Sequence, residues 1–172
     1  MTKAVIIVII NIMEDYKYYL DKGIFNFQTG NFGSAIDDFT KSIELKNDFS
    51  VSYFYRGAAY HSIEEYDEAM LDYTKAISLD EKMTDAYYNR AKIILSRKDI
   101  DNPDVKKAIK DLEKALELDP KFADALYAIA AAYKKLEDYH KALEYLENLL
   151  QISPEHVFGR ALKKLILQKY II

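Results

Sequence analysis

Residues 50–83 carry two apolar stripes in succession. Tyr53, Gly57 and Tyr60 recur at helical spacing, and so do Ala69, Tyr73 and Ala76, with the polar pair Glu64–Glu65 between them. The pattern predicts two amphipathic helices joined by a short turn. It returns along the chain. Gly23 and Gly57 are 34 residues apart, as are Ala35 and Ala69, Phe39 and Tyr73, Tyr19 and Tyr53, and Phe32 and Tyr66. Five pairs in one order at one spacing mark an internal repeat.

Two further copies follow. The positions of Tyr53, Gly57, Tyr60, Tyr66, Ala69, Tyr73 and Ala76 reappear as Leu126, Ala130, Tyr133, Tyr139, Ala142, Leu146 and Leu149. Between these lies a copy with Tyr87, Ala91 and Ile94, then Ala108, Leu112, Ala115 and Pro120; its Ala91–Ala108 gap is 17 residues where the others have 12. Five residues are inserted around Ser96–Asn102, lengthening the turn or the end of the first helix. Asn102-Pro103-Asp104 reads as an N-cap, a proline at the first helical position and an acid in the first turn. Leu118-Asp119-Pro120 and Ile152-Ser153-Pro154 close the second helices of the third and fourth copies. Gly23, Gly57, Ala91 and Ala130 are expected where the two helices of a pair meet, opposite Ala35, Ala69, Ala108 and Ala142.

The period, and the order aromatic, Gly/Ala, Tyr, Ala, aromatic, Ala, Pro, resemble the tetratricopeptide repeat (TPR) family. The repeats fall at 16–49, 50–83, 84–122 and 123–156. Asn26 and Asn47 replace a consensus aromatic and proline in the first. The resemblance implies an all-α, right-handed superhelical solenoid of about four helix-turn-helix repeats. Val157, Phe158, Ala161, Leu162, Leu165 and Ile166 form an apolar stripe over 155–170, expected as a capping helix. The expected organisation is an apolar N-terminal segment, 1–13, and a repeat domain, 14–172.

The resemblance further implies that the first helix of each repeat lines a groove for a partner peptide or helix. The groove positions of interest hold Leu20, Ile24, Phe27, Phe54, Tyr55, Tyr88, Asn89, Lys92 and Tyr127. Tyrosine and phenylalanine offer large contact area for little rotamer entropy, which suits peptide anchoring. Some family members clamp acidic chaperone C-termini with Lys and Asn, then Asn, then Lys and Arg on three successive repeats. Those places hold Leu20, Ile24, Tyr55, Asp85 and Asn89 here or, one repeat later, Phe54, Ala58, Asn89, Asp124 and Ala128. Asn89 alone fits, so this clamp is not expected.

Residues 4–13, AVIIVIINIM, are apolar except for Asn11. As a helix they span about 15 Å, half of the roughly 30 Å of a bilayer core. Lys3 could start a signal peptide, but no small-residue cleavage site follows. Three readings stand: translation starts at Met13; the segment packs on the first repeat; or it inserts into a groove or membrane. After Glu155 there is no acid, and Arg160, Lys163, Lys164 and Lys169 make the C-terminal helix basic. That is the usual look of a solvated face with cations near a helix C-terminus.

Composition adds exclusions. Gly and Pro number 5 and 3 in 172 residues, too few for a turn-rich sheet protein. With no Cys there is no disulfide, thiolate metal site or Cys nucleophile, compatible with a reducing, cytoplasmic setting. The net charge of −4 argues against a nucleic-acid partner. No phosphate-binding loop, serine-hydrolase elbow or His-Glu-x-x-His is present. His140 and Glu144 make one isolated helical pair, without a second pair to complete a metal site. The stretch 99–104 lacks the glycine of a calcium loop, and Lys110 stands at its glutamate position. The expectation is a non-catalytic interaction module that needs no cofactor and binds a protein or peptide. The alternative is a structural subunit, at a membrane or in a self-assembly, using residues 4–13 and the basic C-terminal helix. The 15 tyrosines divide accordingly, with Tyr55, Tyr88 and Tyr127 expected in the groove and most others between helices.

Overall fold

The computed structural model describes residues 3–170, with side chains from Tyr16 onward. These residues form an all-α repeat fold of nine helices: α1 (Lys3–Gln28), α2 (Phe32–Leu45), α3 (Ser50–Ser62), α4 (Tyr66–Leu79), α5 (Thr84–Ser96), α6 (Asn102–Leu118), α7 (Ala123–Lys135), α8 (Tyr139–Ile152) and α9 (Val157–Tyr170). They divide into two units, Met1–Glu81 and Lys82–Ile172.

In the first unit α1 packs on α2, α3 on α4, and α2 on α3, with a lighter contact between α1 and α3. Helix pairing depends on the two glycines. A Cβ on Gly23 would lie 2.5 Å from Phe39 Cε1, and one on Gly57 would lie 3.1 Å from Tyr73 Cε1. The expected partners across the pair were the alanines; Ala35 and Ala69 are fully buried, but the space beside each glycine belongs to the ring four residues further along. A second lock is polar. Ser42 Oγ donates to the Tyr16 carbonyl at 2.9 Å and lies 2.8 Å from Ser52 Oγ, joining α1, α2 and α3.

The turns share one geometry. Gly30 and Glu64 take positive φ, +79° and +65°. The N–H of Asn31 and of Glu65 then reaches back to the carbonyl of Asn26 and of Tyr60, at 2.8 and 3.0 Å, which satisfies carbonyls left open at the end of the first helix. Glu137, at φ +60°, does the same in the α7–α8 turn, where Asp138 N–H bonds the Tyr133 carbonyl at 3.0 Å.

In the second unit α5 packs on α6, α7 on α8, α6 on α7 and α8 on α9. Here the insertion is resolved. Residues 97–101 separate α5 from α6 where the other pairs have three residues, and α6 is 17 residues long where α2, α4 and α8 are 14. Two of the five extra residues therefore lengthen the turn and three extend the start of the second helix. The cap is Asp101, not Asn102: its side chain accepts the Asp104 N–H at 2.8 Å, and Pro103 is second in the helix.

At the N-terminal end, α1 runs unbroken from Lys3 to Gln28, so the 4–13 segment is the start of this helix; its side chains lie outside the described residues. The expected stripe on α9 is only partly used. Gly159 and Ile166 are buried, whereas Val157, Phe158, Ala161 and Leu165 are exposed. Gly159 lets α9 approach α8, since a Cβ there would lie 2.7 Å from Leu149 Cδ2.

Candidate peptide-binding faces

In the first unit the predicted residues come from α1 and α3. Leu20 is buried at 8% exposure in a cluster with Ala35, Phe39 and Ala59. This corrects its placement on a partner-facing surface: it seals the first repeat against the second. Ile24, Phe27 and Tyr55 are partly buried against the same cluster. Their open edges form an aromatic surface. Phe27 meets Tyr55 edge-on at 6.4 Å, Tyr55 stacks on Phe39 at 5.7 Å, and Phe54 meets Tyr55 edge-on at 5.4 Å. Rings packed on one another lose rotamer freedom before a ligand docks, which lowers the entropy lost on binding.

In the second unit α5 and α7 supply the rest. Tyr88 packs on Phe122 at 4.8 Å, and Lys92 Nζ lies 5.7 Å from the Tyr88 ring centre. Burial, and then the nearby Asp124 charge, raise the Tyr88 pKa and keep its hydroxyl protonated. Tyr127 faces His156 at 5.4 Å and Phe158 at 6.2 Å. Asn89 is half-buried and Lys92 exposed.

The sequence reading missed the ion pairs behind these faces. Lys22 Nζ and Asn26 Nδ2 donate to the two oxygens of Asp38 at 2.7 and 2.8 Å. Arg56 donates to both oxygens of Asp72, each at 2.8 Å, and to Thr40 Oγ1 at 3.1 Å. Arg90 grips Asp111 in the same two-pronged way at 2.8 and 2.7 Å. The hydrogen bond to the aspartate raises the pKa of Arg56 and of Arg90, against the opposing effect of burial. The signal was present: Lys22, Arg56 and Arg90 keep the 34-residue period, and Asp38, Asp72 and Asp111 keep it once the insertion is counted. The fourth repeat puts Ile129 and Tyr145 at these two places. Ile129 is fully buried and Tyr145 stacks on Tyr133 at 5.6 Å.

Two clefts, of about 450 and 470 Å³, lie elsewhere. One is lined by Lys22, Asp37, Lys41 and Glu44 among others, the other by Lys106, Lys110, Glu113, Tyr133 and Lys141 among others. Neither includes a predicted groove residue. Among the described residues no group of three or more His, Asp and Glu side chains is placed to hold a metal ion, and no helix is long and apolar enough to cross a membrane.

Two tetratricopeptide repeat family models match the chain, at residues 16–49 and 50–83, the boundaries that the period predicts. The chain belongs to the TPR family. A third model, for regulator of microtubule dynamics protein 1-3, matches residues 88–169. No curated protein matches the chain. Among solved structures, a crystal structure of MamA is 25% identical, covers 82% of this chain and 80% of its own, and superposes with a TM-score of 0.75. The first TPR of Spaghetti (RPAP3), bound to the HSP90 peptide SRMEEVD, is also 25% identical, with 72% and 94% covered and a TM-score of 0.67. MamA from Desulfovibrio magneticus RS-1, at 19% identity, shares the fold, with a TM-score of 0.80 over 91% of this chain and 86% of that one. The TPR chain described here is thus a protein-interaction module.

Proposed function

We propose that this TPR chain is a non-catalytic module that holds a partly apolar peptide or helix against the exposed sides of its first-of-pair helices. Each unit offers its own face: Ile24, Phe27, Phe54 and Tyr55 on the first, and Tyr88, Asn89, Lys92 and Tyr127 on the second. The carrying observation is the set of interlocked, half-open aromatic rings on α1 and α3 and on α5 and α7. A half-open ring leaves apolar area in water that a ligand can cover, as when a groove takes the apolar side of a peptide or helix.

The RPAP3 relative is bound to a peptide with an acidic tail. That mode is not carried over, because an acidic tail needs cations where this chain has Leu20, Ile24, Tyr55 and Asp85. The ligand class that fits is apolar with few charges.

The test is affinity capture from the source cell with the intact chain and with Phe54→Ala and Tyr88→Ala variants, folding being checked by circular dichroism. A specific partner that is lost with both variants supports the reading. Equal recovery by folded variants overturns it, and so does tight binding of SRMEEVD in calorimetry.

A further inference from the structure

Within each unit, the third and tenth places of a repeat face the repeat before it. In the second repeat they are Ser52 and Ala59, in the fourth Ala125 and Ala132, and in α9 Gly159 and Ile166; all six are buried. In the first repeat the same two places hold Tyr18 and Phe25, exposed at 61% and 64%. They are among the largest apolar side chains left open to water. The terminal face of a repeat array is normally polar, because nothing stacks on it.

Residues 4–13 belong to the same unbroken helix as this face, and a helix cannot fold back on itself. α9 presents the other half of such a contact. Phe158, Ala161 and Leu165 are exposed and occupy the second, fifth and ninth places of the repeat. In the first repeat the fifth and ninth places are Leu20 and Ile24, and they pack with Ala59, the tenth-place residue of the next repeat. α9 therefore exposes the fifth- and ninth-place surface, and α1 exposes the tenth-place surface that such a pair receives. Asp21 and Lys22 both lie between Tyr18 and Phe25, but Lys22 is paired with Asp38 at 2.7 Å, which leaves Asp21 to meet Lys164 beside the α9 stripe; Asp21 and Lys164 are both exposed.

We propose that the Tyr18–Phe25 face of α1 receives the Phe158–Leu165 stripe of α9 from a second copy of the chain, continuing the repeat stacking from one molecule into the next. The two surfaces differ, so the contact is heterologous and copies add head to tail.

The experiment is sedimentation velocity on the full chain over about two decades of concentration, with Phe25→Asp and Leu165→Asp variants. The wild type should gain mass with concentration. Each variant should associate roughly ten-fold more weakly or not at all. An equimolar mixture of the two variants should form a dimer and nothing larger, since each retains the surface that the other lacks. A wild type that stays monomeric overturns the proposal. So does a Leu165→Asp variant that assembles like the wild type, which would mean an α1–α1 contact, and so does a mixture without dimer. Both positions are exposed, and thermal melts verify the fold; if either aspartate lowers the melt, Phe25→Ser and Leu165→Ser replace the pair.

Discussion

The ring of Phe39 occupies the space in which a side chain on Gly23 would begin, with Cε1 2.5 Å from the ideal Cβ position. The repeats keep a rule here. Glycine faces a ring at Gly23–Phe39 and Gly57–Tyr73; alanine stands where the opposing residue is the smaller leucine, at Ala91 with Leu112 and Ala130 with Leu146.

Gly23→Ala should therefore destabilise the chain. Overpacking costs about 1–3 kcal/mol, and the roughly 1 kcal/mol gain in helix propensity offsets only part of it. Gly57→Ala, with its nearest contact at 3.1 Å, should fall close to neutral. Adding Phe39→Leu to Gly23→Ala should recover stability relative to the sum of the single changes, by about 1 kcal/mol of coupling. Urea titrations of the four proteins in the cycle check this; additive effects would refute the rule.

Tyr73 is fully buried, and its hydroxyl has no hydrogen-bond partner. Tyr73→Phe should leave the fold intact and raise stability by about 1 kcal/mol, the desolvation cost of one unpaired polar group. The pH dependence has a definite sign. Burial, reinforced by the Asp72 charge, raises the Tyr73 pKa above its ordinary value. The unfolded chain then loses this proton near pH 10 while the folded one keeps it, so stability falls as pH rises beyond that point. Tyr73→Phe should gain more melting temperature over wild type at about pH 11 than at pH 7. An equal gain at both would show that the hydroxyl titrates normally.

Arg56→Ile removes both hydrogen bonds to Asp72, a residue with 5% exposure. An uncompensated buried carboxylate costs about 2–4 kcal/mol, the guanidinium being itself partly open to solvent. The fourth repeat shows how to dispense with the pair: Arg56→Ile with Asp72→Tyr copies Ile129 and Tyr145, and Tyr60 stands ready in the place of Tyr133. The double variant should recover most of the loss in thermal melts. A double no better than the single would mean that the charges, and not merely the filled space, hold α3 to α4.

Much of the architecture was legible because a repeat samples one physical requirement several times. Gly57 alone is uninformative; Gly23 and Gly57 in one register, with alanines following, are not. The turn after Ser62 was readable for the same reason, although Glu64 gives no local hint of its positive φ and is understood only beside Gly30. The ion pairs escaped because Lys22, Arg56 and Arg90 look like ordinary surface charges until the aspartates opposite are aligned through the insertion. Leu20 was misplaced because the fifth position lies on the border between the open face and the neighbouring repeat, and a periodic pattern does not tell which side a border residue serves. The stripe on α9 was misjudged because amphipathicity records that a helix has an apolar side, not that this side is covered within the chain.

The longer turn at 97–101 has a practical consequence. It absorbs two residues while the flanking helices keep their packing, and Arg97, Lys98 and Asp99 are exposed. Since the chain has no cysteine, a single Lys98→Cys change would supply a unique handle for a fluorophore or spin label, at a residue that belongs to no binding face although it follows Lys92 closely in sequence. Ligand capture and self-assembly could then be followed from a site that takes part in neither.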